Sequence, residues 1–251
     1  MIEIFILSLV QGVAEFLPVS SSSHLIIVSE YLNLEKNLLI DVSLHLGSFL
    51  AVIVYFYKDI LNFYKDKIIF FKIIISSIPV MLVGVILIET NLIEKIRNIE
   101  TIAWTTLIFG ILLFVSDKFT IEKTIEKNFS FKSAIFIGSL QILALIPGVS
   151  RSGIAITAAR FLGFERVDSA KISFLISIPI LGAVSIFGLN NIIFSESKEF
   201  AKLNVFAIAT AFFFSLLTIK YFLKYLNKFS LNIFVYYRVL LGIILLALAY
   251  L

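Results

Sequence analysis

Cysteine is absent from the 251 residues, and charge is scarce, with Asp, Glu, Lys and Arg making up 15% of the chain. The first absence excludes disulfides and thiolate metal sites and carries no information about compartment. The second excludes more, because a soluble domain carries about 25% charged residues. Here 60% of residues are apolar and the mean hydropathy is +1.04. Water cannot solvate the outside of such a chain, so lipid must. The start, Met1-Ile2-Glu3-Ile4, lacks a basic segment and a small-residue cleavage site, so it reads as retained structure and not as a removed signal. The net charge of +4 comes from lysines lying between apolar runs. Membrane topology accounts for them, and no nucleic-acid partner is expected.

Six uncharged or nearly uncharged runs approach the roughly 20 residues that cross hydrocarbon. They are Val42 to Tyr57, Ile73 to Ile88, Ile102 to Val115, Ile172 to Leu189, Leu203 to Ile219 and Ile233 to Leu251. Two further apolar regions, Ile4 to Tyr31 and Ala134 to Leu162, are interrupted by Leu17-Pro18-Val19-Ser20-Ser21-Ser22-Ser23-His24 and by Ile146-Pro147-Gly148-Val149-Ser150-Arg151-Ser152-Gly153. Proline and its predecessor disfavour continued helix, and serine favours a fresh helix start. Each region therefore reads as helix, break, helix. Irregular backbone at membrane depth is tolerated only inside protein or beside a wet cavity, which makes both regions re-entrant hairpins.

The halves match at an offset of about 130 residues: Gln11 falls on Gln141, Ala14 on Ala144, Val19-Ser20 on Val149-Ser150 and Ser22 on Ser152. The expected fold is an all-α polytopic membrane protein, a single domain over 1–251 with repeats at about 1–117 and 133–251. A hairpin plus three spans crosses the membrane an odd number of times, so the second repeat is expected to be inverted. Charge agrees. One face receives the fourteen Lys and Arg at 58–72, 118–132, 160–171 and 220–228, against Lys36, Lys95, Arg97, Lys198 and Lys202 on the other. The first face is then cytoplasmic, the first hairpin enters from outside, and the two breaks meet near the middle.

Gln11 and Glu15 are four apart and share a helix face, and an ionisable group at membrane depth is a functional candidate. His24, beside Glu15 and four serines, joins them, although a lone histidine is more often structural. Arg151, between Ser150 and Ser152 and just ahead of a helix, suits an anion: guanidinium presents forked donors and the helix start adds free N–H groups. A structural Arg–Glu pair across the repeats, with Glu15, is compatible with that role. One protein cation is thin for a diphosphate, and a divalent metal held by Glu15 and the substrate would add positive charge. Asp41 and His45 share a face of the first span and rank behind these residues. Arg238, near the start of the last span, reads as snorkelling to the interface.

Gln11-Gly12-Val13-Ala14-Glu15-Phe16-Leu17-Pro18-Val19-Ser20-Ser21-Ser22-Ser23-His24 resembles the N-terminal signature of the bacterial undecaprenyl-diphosphatases, the bacitracin-resistance phosphatases. Pro147-Gly148-Val149-Ser150-Arg151-Ser152-Gly153 resembles their second signature, and the similarity runs through nearly the whole chain. The resemblance implies hydrolysis of an isoprenyl diphosphate, undecaprenyl diphosphate, to the monophosphate carrier lipid and phosphate, in support of peptidoglycan synthesis. It further implies a divalent metal such as Mg or Ca, a homodimer, and a multi-pass protein of the inner membrane whose site opens to the periplasm. By position, Glu15, Ser21, His24 and Arg151 are the expected catalytic residues, with Glu15 also on the metal. Gln11, Ser20, Gly148, Ser150 and Ser152 are the expected substrate contacts. Two positions depart from the pattern. Ser23 stands where Gly is common, and Ala155 stands where Thr is common, with Thr157 on a different face.

Attack on the terminal phosphorus from Ser21 or from water, with His24 handling a proton, stays open at this level. Acid-phosphatase-like lipid phosphatases are excluded: they need a histidine six residues after the arginine of a Ser-Arg motif, and Thr157 stands there. A transporter or flippase using the same midplane site is the alternative, and a structural scaffold is a third class.

Overall fold

In the computed structural model the long apolar runs become helices because buried backbone in lipid must satisfy its own hydrogen bonds. The structure describes every residue except 33, 35–37, 64–65, 91, 93–95, 120–121, 194–197 and 251, and it leaves out the side chains of 38, 187–193 and 198–200. Lys36, Lys65 and Lys95, the side chain of Lys198, and the terminal Leu251 of the last predicted span lie outside the described residues.

The first half runs α1 (Ile2–Ala14), α2 (Ser21–Tyr31), α3 (Leu38–Tyr55), the short α4 (Tyr57–Asn62), α5 (Lys67–Glu89) and α6 (Ile99–Asp117). After the one-turn α7 (Ile125–Asn128) come α8 (Phe131–Gln141), which tightens into a 3-10 turn at Ile142–Leu145, and α9 (Arg151–Phe161). Three long helices finish the chain: α10 (Arg166–Ile193), α11 (Lys198–Leu226) and α12 (Asn232–Tyr250). Among the described residues the β pairing is one isolated bridge between Lys123 and Phe164.

Among the described residues five helices (α5, α6, α10, α11 and α12) are long and apolar enough to cross a membrane, and α3 is a shorter apolar helix. This is an all-α polytopic membrane protein. At 1.5 Å per residue, the 13 residues of α1 reach only about 20 Å, short of the roughly 30 Å of hydrocarbon. The same holds for α8.

Two pairs of helices in matching positions lie against each other, α3 with α10 and α6 with α12, but α3 packs more extensively on α11, where α1 also lies, and α8 lies on α5. The α1–α3–α11 contacts are close: a Cβ on Gly12 would fall 2.6 Å from Phe214 Cβ, and one on Gly47 would fall 2.5 Å from the Ile208 carbonyl. Small residues at such crossings are what let membrane helices approach. The lysine-rich loops gather at one end, through Lys171–Asp59 at 2.6 Å, Arg166–Asp117 at 2.7 Å and Lys123 on the Leu162 carbonyl at 2.8 Å. Tyr250 bonds to Glu100, tying α12 to the start of α6.

Candidate active site

Two interruptions of helix build the site. The first begins where α1 stops at Ala14. Pro18 removes a helical donor, Phe16 is driven into the core edge-on to Phe174 at 5.2 Å, and Ser20 turns the chain with φ 75° into α2. Glu15 is thereby held just past the end of α1, with 6% of its surface exposed. Its carboxylate is crowded. Gln11, one turn earlier, donates to Oε2 at 3.0 Å, and Ser21, first residue of α2, donates to the same oxygen at 2.6 Å.

The second interruption follows the same plan. Gly148 adopts φ +92°, and a Cβ there would collide with Thr105 Oγ1 at 2.0 Å. Only glycine fits both the conformation and the space. Thr105 donates to the Pro147 carbonyl at 2.6 Å, fastening this break to α6. Ser150, with φ 73°, caps α9 by accepting from the Gly153 N–H at 3.1 Å. Arg151 is the first residue of α9, and its Nη2 meets Glu15 Oε1 at 2.8 Å while Nη1 reaches the Ser173 carbonyl at 3.4 Å. Ser152 donates to the Leu17 carbonyl at 2.7 Å, so the two breaks touch directly.

Of the predicted residues, Gln11, Glu15, Ser21 and Arg151 thus form one hydrogen-bonded cluster, with Ser152 bracing it. Ser20 and Ser150 shape the turns, and the Gly148 carbonyl faces Arg238 at 2.9 Å. His24 lies to one side. Its Nδ1–H is given to the Ser20 carbonyl at 2.7 Å, which leaves Nε2 to accept the Tyr237 hydroxyl at 2.5 Å.

Three residues stand differently from their reading in the sequence. Tyr237 on α12 drew no attention, yet it holds the one nitrogen of His24 that is free of backbone. His45 is closer to the chemistry than its rank suggests: Nδ1 accepts from Gln11 Nε2 at 3.0 Å and lies 3.9 Å from Glu15 Oε2. Arg238 does not snorkel. It is 0% exposed and turns inward, because Gly110 opposite leaves room for its stem: a Cβ there would lie 2.9 Å from Arg238 Cβ. The signal available was a Tyr-Tyr-Arg run inside an apolar span.

A family model, that of the bacitracin resistance protein BacA, matches residues 4–244. The chain belongs to the BacA family. Similar full-length relatives agree. An undecaprenyl-diphosphatase of Pelagibacter ubique (strain HTCC1062) is 49% identical over 99% of this chain and 98% of its own. Those of Jannaschia sp. (strain CCS1) and Elusimicrobium minutum (strain Pei191) are each 38% identical, over 98% and 96% of this chain and 98% and 95% of theirs.

The two departures from the BacA pattern have distinct settings. Ala155 is fully buried in an apolar cluster with Ile137, Ala158, Ile172 and Ile176. Ser23, also fully buried, places its hydroxyl 3.0 Å from Ser20 Oγ, inside the first break.

Proposed function

We propose that this protein hydrolyses undecaprenyl diphosphate to undecaprenyl phosphate and inorganic phosphate, recycling the carrier lipid of cell-wall synthesis. The observation that carries the reading is the buried Glu15 carboxylate shared by Ser21 and Arg151, a proton acceptor, a hydroxyl and a phosphate-type fork at one point. The relatives' shared name, undecaprenyl-diphosphatase, specifies the lipid. None of the relatives supports a transporter.

The chemistry follows from those contacts. Arg151 exchanges its Glu15 partner for the oxygens of the terminal phosphate. Glu15, freed, takes the Ser21 proton along the 2.6 Å hydrogen bond, which is within the reach required of a general base. Ser21 Oγ attacks the terminal phosphorus, the bond to the bridging oxygen breaks, and undecaprenyl phosphate leaves with that bond's electrons. Glu15 passes that proton to the departing phosphate. Water then attacks the phosphoserine phosphorus with Glu15 taking the water proton, and Glu15 returns it to Ser21 Oγ as the serine leaves with free inorganic phosphate. His24, with Nδ1–H fixed on backbone, can take a proton at Nε2 by exchanging its Tyr237 partner. Positioning and charge stabilisation carry most of the rate in such transfers.

A divalent cation, Mg or Ca, fits as a weakly held participant. Among the described residues no three carboxylates or imidazoles gather, but Gln11 Oε1 is buried without a partner beside Glu15. Glu15 and Gln11 would supply two oxygens and leave the remainder to water and phosphate, a pattern that hard cations accept. Bound there, it would offset negative charge on the diphosphate.

We also infer that the halves are inverted repeats, that each short-helix hairpin enters and leaves by one face, and that the site opens to the periplasmic side of the bacterial inner membrane. The paired left-handed serines, the swapped helix pairings and the clustering of lysine-rich loops at one end support this arrangement. Purified protein in detergent is tested for phosphate release from a C55 isoprenyl diphosphate, with and without chelator, beside Glu15→Gln and Arg151→Ala. Metal-dependent release lost in both variants is expected. Absence of release from folded wild type with any divalent metal sinks the enzyme reading and points to flux across liposomes.

A further inference from the structure

Arginine carries five N–H donors, and in Arg238 all five are taken by main-chain carbonyls. Nε donates to Thr106 O at 3.2 Å. Nη1 donates to Pro18 O at 3.1 Å and Val149 O at 3.0 Å, and Nη2 to Thr105 O at 3.5 Å and Gly148 O at 2.9 Å. These acceptors come from three places: the first break, the second break and α6. No carboxylate lies within ion-pairing distance of it among the described residues. A fully buried arginine without an acid is costly in any protein and more so in a membrane, so its retention calls for a reason.

Two physical consequences follow. First, the carbonyls freed where helix is interrupted have no water to meet, and one guanidinium satisfies Pro18, Gly148 and Val149 together. In a trans peptide the N–H points opposite the C=O, so fixing the Val149 carbonyl on Arg238 turns the Ser150 N–H the other way. That N–H has no partner among the described residues and sits one residue before Arg151. Second, Glu15 and Arg151 cancel, so Arg238 leaves the meeting point of the breaks with one net positive charge, in a medium where charge acts strongly.

We propose that Arg238 is the positioning residue of the diphosphate site, drawing the two breaks into register and holding an uncancelled positive charge behind them. The proposal rests on the diphosphatase reading above. With every donor occupied, Arg238 does not touch the substrate. It acts through Arg151, Ser150 and the field. Gly153 is part of the device, because a Cβ there would crowd Arg238 Nη1 at 3.0 Å and the turn residue Ser150 at 3.0 Å to Cβ and 3.1 Å to Oγ.

The test compares Arg238→Lys, Arg238→Gln and Gly153→Ala with wild type for phosphate release from the C55 diphosphate, reading kcat and KM separately. Lysine keeps the charge but has three donors for five acceptors, so kcat is expected to fall at least tenfold with KM within about threefold of wild type. Glutamine loses the charge as well, and KM should rise about tenfold in addition. Gly153→Ala keeps both charge and donors while displacing Nη1, and should lower kcat alone. A merely fold-holding role would lower the folded fraction and leave KM unchanged in Arg238→Gln, which overturns the proposal, as does a wild-type kcat in Gly153→Ala should the arginine variants not fold. Inactive wild type would instead remove the diphosphatase reading itself.

Discussion

The two breaks share a backbone and divide the chemistry. Both turn on a serine with φ near +74°, Ser20 at 75° and Ser150 at 73°, and both follow a fully buried glutamine, Gln11 or Gln141. There the likeness ends. The first carries Glu15, Ser21 and His24; at the matching positions the second has Leu145, Arg151 and Ile154. The first therefore gathers a carboxylate, a hydroxyl and an imidazole, and the second is a capped helix start presenting a cation. Neither half makes a site alone. The two breaks carry the same left-handed serine turn, and under the proposed function the sequence differences give acid–base work to one and anion binding to the other.

Cutting the tie between them has the largest expected effect. Arg151→Ala leaves Glu15 buried and unpaired, which costs about 3–5 kcal/mol for a buried ion pair broken on one side, and phosphate release should fall by about 10³ or more. The double change Glu15→Gln with Arg151→Gln removes the stranded charge. Thermal unfolding in detergent should recover toward wild type while activity stays absent. A double variant as unstable as Arg151→Ala would mean that Glu15 is not ionised in the pair.

Next comes the pair of serines at the junction. Ser21→Ala removes the hydroxyl that donates to Glu15 and should abolish turnover and phosphoserine trapping, whereas Ser152→Ala removes the brace to the Leu17 carbonyl and the 3.2 Å contact with Ser150 Oγ and should cost about tenfold. Substantial turnover by Ser21→Ala would transfer the attack to water.

Much of this division is legible in the chain because its signals are local. Pro18 and Pro147 followed by serines mark the breaks, Glu15 stands out as a lone acid in an apolar run, and Arg151 opens a helix. The structure brings those residues to one point, and they stand out in the chain because lipid makes every polar group conspicuous. Arg238 is misread because its sequence position, six residues into α12, fits both a side chain reaching back to the interface and one turning inward. The choice is made by Gly110 and Gly153, each far away in sequence, which leave space for the stem and the fork. Tyr237 is hidden, and the place of His45 among the named candidates is left unsettled, because their partners, His24 and Gln11, come from other helices. Long-range vacancies created by glycine have no local signature.

Tyr237 gives a smaller test of the first break. Tyr237→Phe keeps the ring beside His24 and removes the hydroxyl that Nε2 accepts. If that hydrogen bond fixes the imidazole for proton handling, kcat should fall about three- to tenfold while KM holds. His24→Asn should cost more. Equal losses in the two variants would place the function on the pair and not on the imidazole.

The smallest effect isolates the turns themselves. Because Ser20 and Ser150 have nearly the same left-handed φ, relief of strain by glycine is nearly the same at both, and any difference between them reports the cap. Ser150 accepts from the Gly153 N–H at 3.1 Å, whereas Ser20 meets only the hydroxyls of Ser22 and Ser23, at 3.3 and 3.0 Å. Losing an N-cap hydroxyl costs about 1 kcal/mol, so Ser150→Ala should unfold earlier than Ser20→Ala by about that amount. With glycine the relieved strain, about 1 kcal/mol for a single left-handed residue, offsets the lost cap at Ser150 and stands unopposed at Ser20. Ser20→Gly is then expected to raise the midpoint of thermal unfolding slightly, and Ser150→Gly to leave it where it is. Equal shifts at the two positions would show that Ser23, through its hydroxyl, holds the first turn as firmly as the Gly153 N–H holds the second.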